Sequence, residues 1–192
     1  MASAAAVIPF VELLDADEFL ELYDRDEGGF REYELFDGEV VERPMTSRVH
    51  DGIKNAVSLA LNLYFLKVPG YISLVETTFK LGPRRVFTPD LAVVEINRWN
   101  AMVGNFAVAA PDIAFEVVSS DRADRLKFKT DSYLECGSGA VCCIYPSQRR
   151  ITVVTPGRLT EFQGDDSLQF PAILPGFEMP LSAVFAILGN AA

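Results

Sequence analysis

Two carboxylates lie where strand-forming sequence seldom places them, Asp90 in Thr-Pro-Asp-Leu-Ala-Val-Val and Glu116 in Pro-Asp-Ile-Ala-Phe-Glu-Val-Val. Apolar runs of this kind mark strands covered on both faces, where an unpaired carboxylate must protonate, meet a cation or hold a metal. Lys127 and Lys129 follow Glu116 on a predicted helix. Two acids on neighbouring strands can ligate a hard cation such as Mg2+ or Mn2+. A lysine at the same end can orient or deprotonate a water, or offset charge in the transition state. These are the components of metal-dependent phosphodiester hydrolysis. The purely structural alternative is that Asp90 caps the start of a strand after Pro89, and that Glu116 forms a buried ion pair with Lys129 or Arg125.

Several elements must hold these groups in place. Asp15 to Tyr23 has a capping aspartate, acids in its first turn and near-helical apolar spacing, and Gly28-Gly29 ends it. Tyr33-Glu-Leu-Phe, Asp37-Gly38 and Glu39-Val-Val-Glu predict a hairpin with a type I′ turn, closed by Pro44. Ile53, Ala56, Val57, Ala60, Leu61 and Tyr64 mark a long helix over 47–65 that Pro69-Gly70 terminates. Strands are expected over 71–81 and 86–96, then an irregular connection over 97–110 with a helical turn near Trp99, then a strand over 113–118. Ser119 and Ser120 lead into a helix over 122–135, ended by Gly137 and Gly139. On a wheel starting at Leu126, Lys127 and Lys129 fall on the two edges of one apolar face, so periodicity does not choose between them. Further strands are expected over 141–145 and 151–155, and a last helix over 182–188. The pattern predicts an α/β fold, a mixed sheet with helices on it.

With 192 residues, 49% of them apolar, the chain is expected to form one domain over 1–192. No basic n-region and no run of roughly 20 apolar residues appears, which predicts a cytoplasmic protein with no membrane partner. Cys136, Cys142 and Cys143 read as small core residues, and a single histidine, His50, excludes zinc motifs that need two. The net charge of −10 opposes generic nucleic-acid binding. Many of the acids lie in the first 42 residues, however, whereas Arg84, Arg85, Arg125 and Lys127 surround the proposed site in sequence as candidate DNA contacts.

Taken in order, Tyr33-Glu-Leu-Phe-Asp-Gly-Glu-Val-Val, Pro44 to His50, Thr88-Pro-Asp90 and Phe115-Glu-Val-Val-Ser119, followed by Asp124, Lys129 and Tyr133, resemble the Uma2 family of the PD-(D/E)XK nuclease superfamily. The resemblance runs from about 30 to 155. It implies a restriction endonuclease-like core, a central mixed sheet flanked by helices. It also implies Asp90 and Glu116 as metal-binding acids and Lys129, four before a tyrosine, as the site lysine. In the wider superfamily that lysine stands two positions after the acid, where this chain has Val118. Glu39 and His50 match further family positions and are expected to line the pocket. Where relatives show Glu-Tyr-Trp after the helix, this chain reads Ala140-Val-Cys-Cys-Ile-Tyr145-Pro146.

The expected function is hydrolysis of DNA phosphodiester bonds by a Mg2+- or Mn2+-dependent endonuclease, active as a homodimer. The rival is an inactive module of the same fold that binds nucleic acid or a protein partner.

Overall fold

Side chains alternate along the strands and sort onto two faces of one sheet, and a different cover on each face decides where polar groups can survive. The computed structural model describes residues 13–25, 32–43, 45–118 and 123–189. Gly28, Gly29, Pro44, Ser119, Ser120 and Arg122, to which the sequence assigns boundaries, lie outside the described residues.

In chain order the first elements are α1 (Ala16–Arg25), β1 (Tyr33–Phe36), β2 (Glu39–Glu42), α2 (Arg48–Phe65), β3 (Tyr71–Val75), β4 (Phe79–Gly82), β5 (Arg85–Phe87) and β6 (Leu91–Glu95). There follow α3 (Ile96–Ala101), β7 (Ile113–Val117), α4 (Ala123–Glu135), β8 (Ala140–Tyr145), β9 (Arg150–Thr155), β10 (Arg158–Phe162), β11 (Ser167–Phe170), β12 (Leu174–Pro180) and α5 (Leu181–Val184). The main sheet has the order β10-β9-β8-β7-β6-β3. It is mixed: β7 and β8, joined through α4, run parallel, and every other neighbouring pair is antiparallel. A smaller sheet, β2-β1-β5-β4, stands beside it, and β11 and β12 form a separate hairpin.

One face of the main sheet presents Leu91, Val93, Ile113, Phe115 and Ile144 to Ile53, Val57 and Leu61 of α2, with the β11–β12 hairpin and α5 completing that core. The other face presents Ala92, Val94, Ala114, Val141 and Cys143 to Tyr133 of α4 and to Phe79 and Phe87 of the smaller sheet. All three cysteines are free, and Cys142 and Cys143 are buried. Among the described residues no helix is long and apolar enough to cross a membrane.

Three expectations need correction. The strands predicted over 71–81 and 86–96 are each cut in two, and the halves belong to different sheets. Pro89 has no N–H to give a ladder, and Glu76 takes a left-handed φ of 48°, so both chains turn at one level. The Glu76 N–H donates to the Asp90 carbonyl at 3.3 Å, and the hydroxyls of Thr78 and Thr88 meet at 3.0 Å. Asp90 therefore stands at the corner where the chain passes from one sheet to the other. The segment 156–180, left without elements by the sequence, carries β10, β11 and β12. The final helix is shorter than 182–188, ending at Val184 and followed by a 3-10 turn over Ala186–Leu188.

The hairpin turn forms as its residues predict, with positive φ at Asp37 (47°) and Gly38 (95°). A Cβ on Gly38 would lie 3.1 Å from the Leu14 carbonyl oxygen. Gly38→Ala is expected to lower stability by about 1–2 kcal/mol from the left-handed backbone plus a further loss from crowding, read as a lower urea midpoint. Gly164→Ala, where φ is 58° and no atom of the described residues lies within 4 Å of the added carbon, should lose only the backbone part.

Candidate active site

The register of β6 and β7 pairs Leu91 with Phe115 and Ala92 with Ala114. Continued by one residue, it sets Asp90 opposite Glu116. Both fall on the α4 face, since even-numbered residues of the two strands point there. Two carboxylates side by side under a helix repel one another and lose water, so each needs a donor.

Asp90 is 7% exposed. Its Oδ2 accepts from the Val117 N–H at 2.6 Å, and its Oδ1 lies 3.0 Å from His50 Nε2. Burial pulls the Asp90 pKa upward, yet the His50 contact, the Val117 N–H and the Lys129 charge bring it below the ordinary carboxylate value. His50 is the mirror case. Burial opposes its charge, but the hydrogen bond and charge of Asp90 raise its pKa above 6.5. Among the described residues the buried Nδ1 of His50 has no hydrogen-bond partner, and Asp51 Oδ1 at 3.7 Å is too distant to serve.

Lys129 comes from α4, 8% exposed, with its Nζ 2.7 Å from Glu116 Oε1 and 2.8 Å from Glu34 Oε1. Burial alone would lower its pKa, but the two carboxylates outweigh burial and hold it above the ordinary lysine value. The ammonium also sits 5.7 Å from the centre of the Phe87 ring. Burial pushes Glu116 up to about 7 despite Lys129, and the charges of Asp90 and Glu34 add to the rise. The Tyr133 hydroxyl donates to Glu116 Oε1 at 3.2 Å. A cleft of about 100 Å³ opens over this group, lined by Glu34, Glu116, Lys129, Arg125, Val118 and Leu126.

The structure thus brings together Asp90, Glu116, Lys129 and His50, with Arg125 at the cleft. Glu39 is not among them. It is exposed beside the hairpin turn, paired with Phe36. Glu34 occupies the pocket instead, 6% exposed, its Oε1 also accepting from the Thr88 N–H at 2.8 Å. Sequence reasoning passed over Glu34 because one acid in a four-residue strand looks like an ordinary outward position. Lys54 was missed as well. It lies one turn beyond His50 on the inward side of α2, 8% exposed, with Nζ 2.5 Å from Glu76 and 3.1 Å from Asp51.

Three of the four candidate DNA contacts are placed elsewhere. Arg85 joins Asp37 at 2.8 Å and Glu135 at 2.9 Å and covers the Phe128 ring, tying the smaller sheet to α4. Lys127 is exposed and paired with Asp131, and Arg84 is exposed at the β4–β5 turn. The altered segment is β8. Ala140 stands at its far end, opposite Ile113, and packs in the core on the α2 side, whereas Cys143 is the residue level with Glu116.

The sequence profile of the Uma2 family, described as "Putative restriction endonuclease", matches residues 16–182, and the chain belongs to that family. The match extends the resemblance at both ends, to α1 and to the start of α5. Among solved structures the fold is similar to the crystal structure of "a putative nuclease belonging to DUF820" from Anabaena variabilis ATCC 29413, with a TM-score of 0.80 and 20% identity, covering 91% of this chain and 99% of that one. No functionally curated protein matches the chain. The fold class is that of a nuclease-like mixed α/β protein.

Among the described residues no cluster of three or more His, Cys, Asp or Glu could hold a metal unaided. Mg2+ commonly needs only one or two carboxylates, keeping waters and taking substrate phosphate for the rest. Asp90 and Glu116 offer hard oxygens of that kind beside a cleft, and the chemistry of these donors fits Mg2+ or Mn2+. As the site stands, His50 and Lys129 supply its positive charge.

The His50–Asp90 contact makes stability pH-dependent. The raised His50 pKa means that its contribution is present below 6.5 and is lost as pH rises through the folded value. Melting curves should therefore show His50→Ala falling furthest below the wild type near about pH 6, with the gap narrowing by about pH 9.

Proposed function

We propose that this chain is a Mg2+- or Mn2+-dependent endonuclease that hydrolyses DNA phosphodiester bonds. The supporting observation is the buried Lys129 ammonium held between Glu34 and Glu116 beside Asp90. Asp90 and Glu116 would hold the cation, which would polarise a phosphoryl oxygen and offset the charge developing in the transition state. Lys129 is a poor general base, because a lysine with a raised pKa keeps its proton at neutral pH. Its role is to donate: it orients the attacking water or stabilises charge on the phosphoryl group.

Glu34 makes that role durable. If Glu116 turns to a cation, Lys129 still has one carboxylate to hold it at the cleft, and the Thr88 N–H fixes that carboxylate in turn. His50 keeps one Asp90 oxygen in place through Nε2, while its Nδ1 stays buried behind that contact. Arg125 lines the cleft, makes no ion pair among the described residues, and would offer a cation to an adjoining phosphate. A cytoplasmic location belongs to the same proposal.

Purified protein with supercoiled plasmid and Mn2+ should produce nicked circles, and Asp90→Ala and Lys129→Ala should reduce nicking by about a hundredfold or more. Nicking absent throughout, or unchanged in both variants, would reject the enzyme and leave a binding module. Because burial holds Glu116 up to about 7 before a cation arrives, a proton competes with the cation there, and nicking at limiting Mn2+ should rise with pH through the neutral range. A rate that falls as pH rises from 6 to 8 would contradict the assignment of the ionised form.

We extend the proposal to a homodimer. Leu59 and Leu63 on α2, with Leu66 just past its end, are exposed at helical spacing and offer a surface for self-association. Light scattering at micromolar concentration should give a dimer mass, and Leu63→Glu should return a monomer.

A further inference from the structure

Beside the catalytic cleft runs a second groove of about 540 Å³, between α4 and the part of the main sheet that α4 leaves uncovered. The two cavities share Val118 and Leu126 in their walls, so they lie side by side. The floor is built in register: Tyr145 pairs with Arg150, and Cys143 pairs with Thr152, which in turn pairs with Glu161. The Arg150 guanidinium lies over the half-buried Tyr145 ring, 4.5 Å from its centre, and the two form a platform. Val154 and the exposed Leu159 continue the floor as apolar surface.

The charges here are already matched. Arg150 is 2.7 Å from Glu161, and Lys127 is 2.5 Å from Asp131. A phosphate would have to displace an acid from its partner, whereas a neutral flat ring loses nothing on entering. Stacking on an aromatic or guanidinium plane is how unpaired bases are commonly held.

We infer that this groove is a subsite for an unpaired nucleobase of the strand being cut, stacked on the Tyr145–Arg150 platform next to the cleft. The inference rests on the nuclease reading for its substrate class and extends it. The preferred DNA would be single-stranded or locally opened, since a base within an intact duplex cannot reach the platform.

The test is fluorescence anisotropy of a labelled single-stranded oligonucleotide in EDTA, where no hydrolysis occurs. A matched oligonucleotide lacking one base at successive positions is titrated alongside. The wild type should bind the intact strand at least about fivefold more tightly than the best-placed abasic one. Tyr145→Ala and Arg150→Ala should lose that factor and no longer distinguish the two strands, while Tyr145→Phe should keep it. Far-UV circular dichroism and thermal melting report whether the variants fold. Arg150, half-buried at the start of β9, carries the test if Tyr145→Ala does not fold.

No strand binding by the wild type, or an abasic penalty equal in wild type and variants, would overturn the subsite. Normal nicking with that result would leave the nuclease reading standing. An abasic penalty that depends on Tyr145, in a protein that never nicks, would retain the subsite and reject catalysis.

Discussion

An ammonium group nine-tenths buried is tolerable only where carboxylates meet it, and the Glu34–Lys129–Glu116 contact is the constraint that organises this molecule. Each partner arrives on a different element: Glu34 on β1 of the smaller sheet, Glu116 on β7 of the main sheet, Lys129 on α4 between them. Removing Lys129 leaves two buried carboxylates without their cation, a loss larger than the net contribution of the contact to folding. The same contact therefore fixes how the hairpin, the main sheet and the crossover helix sit together, and it sets the floor of the cleft.

Asp90 enters through a second device, the corner at which two strands change sheets. Pro89 and the left-handed Glu76 end one ladder and start another. The Lys54–Glu76 ion pair braces the bend, and the Val117 N–H and His50 hold the buried Asp90 carboxylate that follows it. Acid pairing and cation placement follow from backbone register, so the site does not depend on the long loops.

Much of this was legible from residues. The alternation of β6 and β7, the Asp37-Gly38 turn and the 3.6-residue period of α2 each state their element locally. The order of acids and lysine, together with the family resemblance, pointed to Asp90, Glu116 and Lys129. What could not be read is mostly non-local. An apolar run looks the same whether it stays in one sheet or crosses to another, so the breaks after Val75 and Phe87 were hidden. Glu39 was preferred to Glu34 because nothing within the hairpin says which acid faces α4; that is decided by the pairing of β1 with β5. β10 to β12 went unseen because Pro156-Gly157, Gly164, Pro171 and Pro175-Gly176 punctuate them so densely that turn signals masked their short strands. Tyr145 and Arg150 stand five residues apart, and only the β8–β9 ladder brings them face to face.

The central claim is that Asp90 and Glu116 form a divalent-cation site whose present positive charge comes from protein side chains. Titration calorimetry of Mn2+ in buffers of differing ionisation enthalpy measures this directly. One saturable site with net proton release, lost in Asp90→Asn, is the predicted result. An absence of manganese heat in the wild type, or a binding curve that Asp90→Asn leaves unaltered, would contradict it.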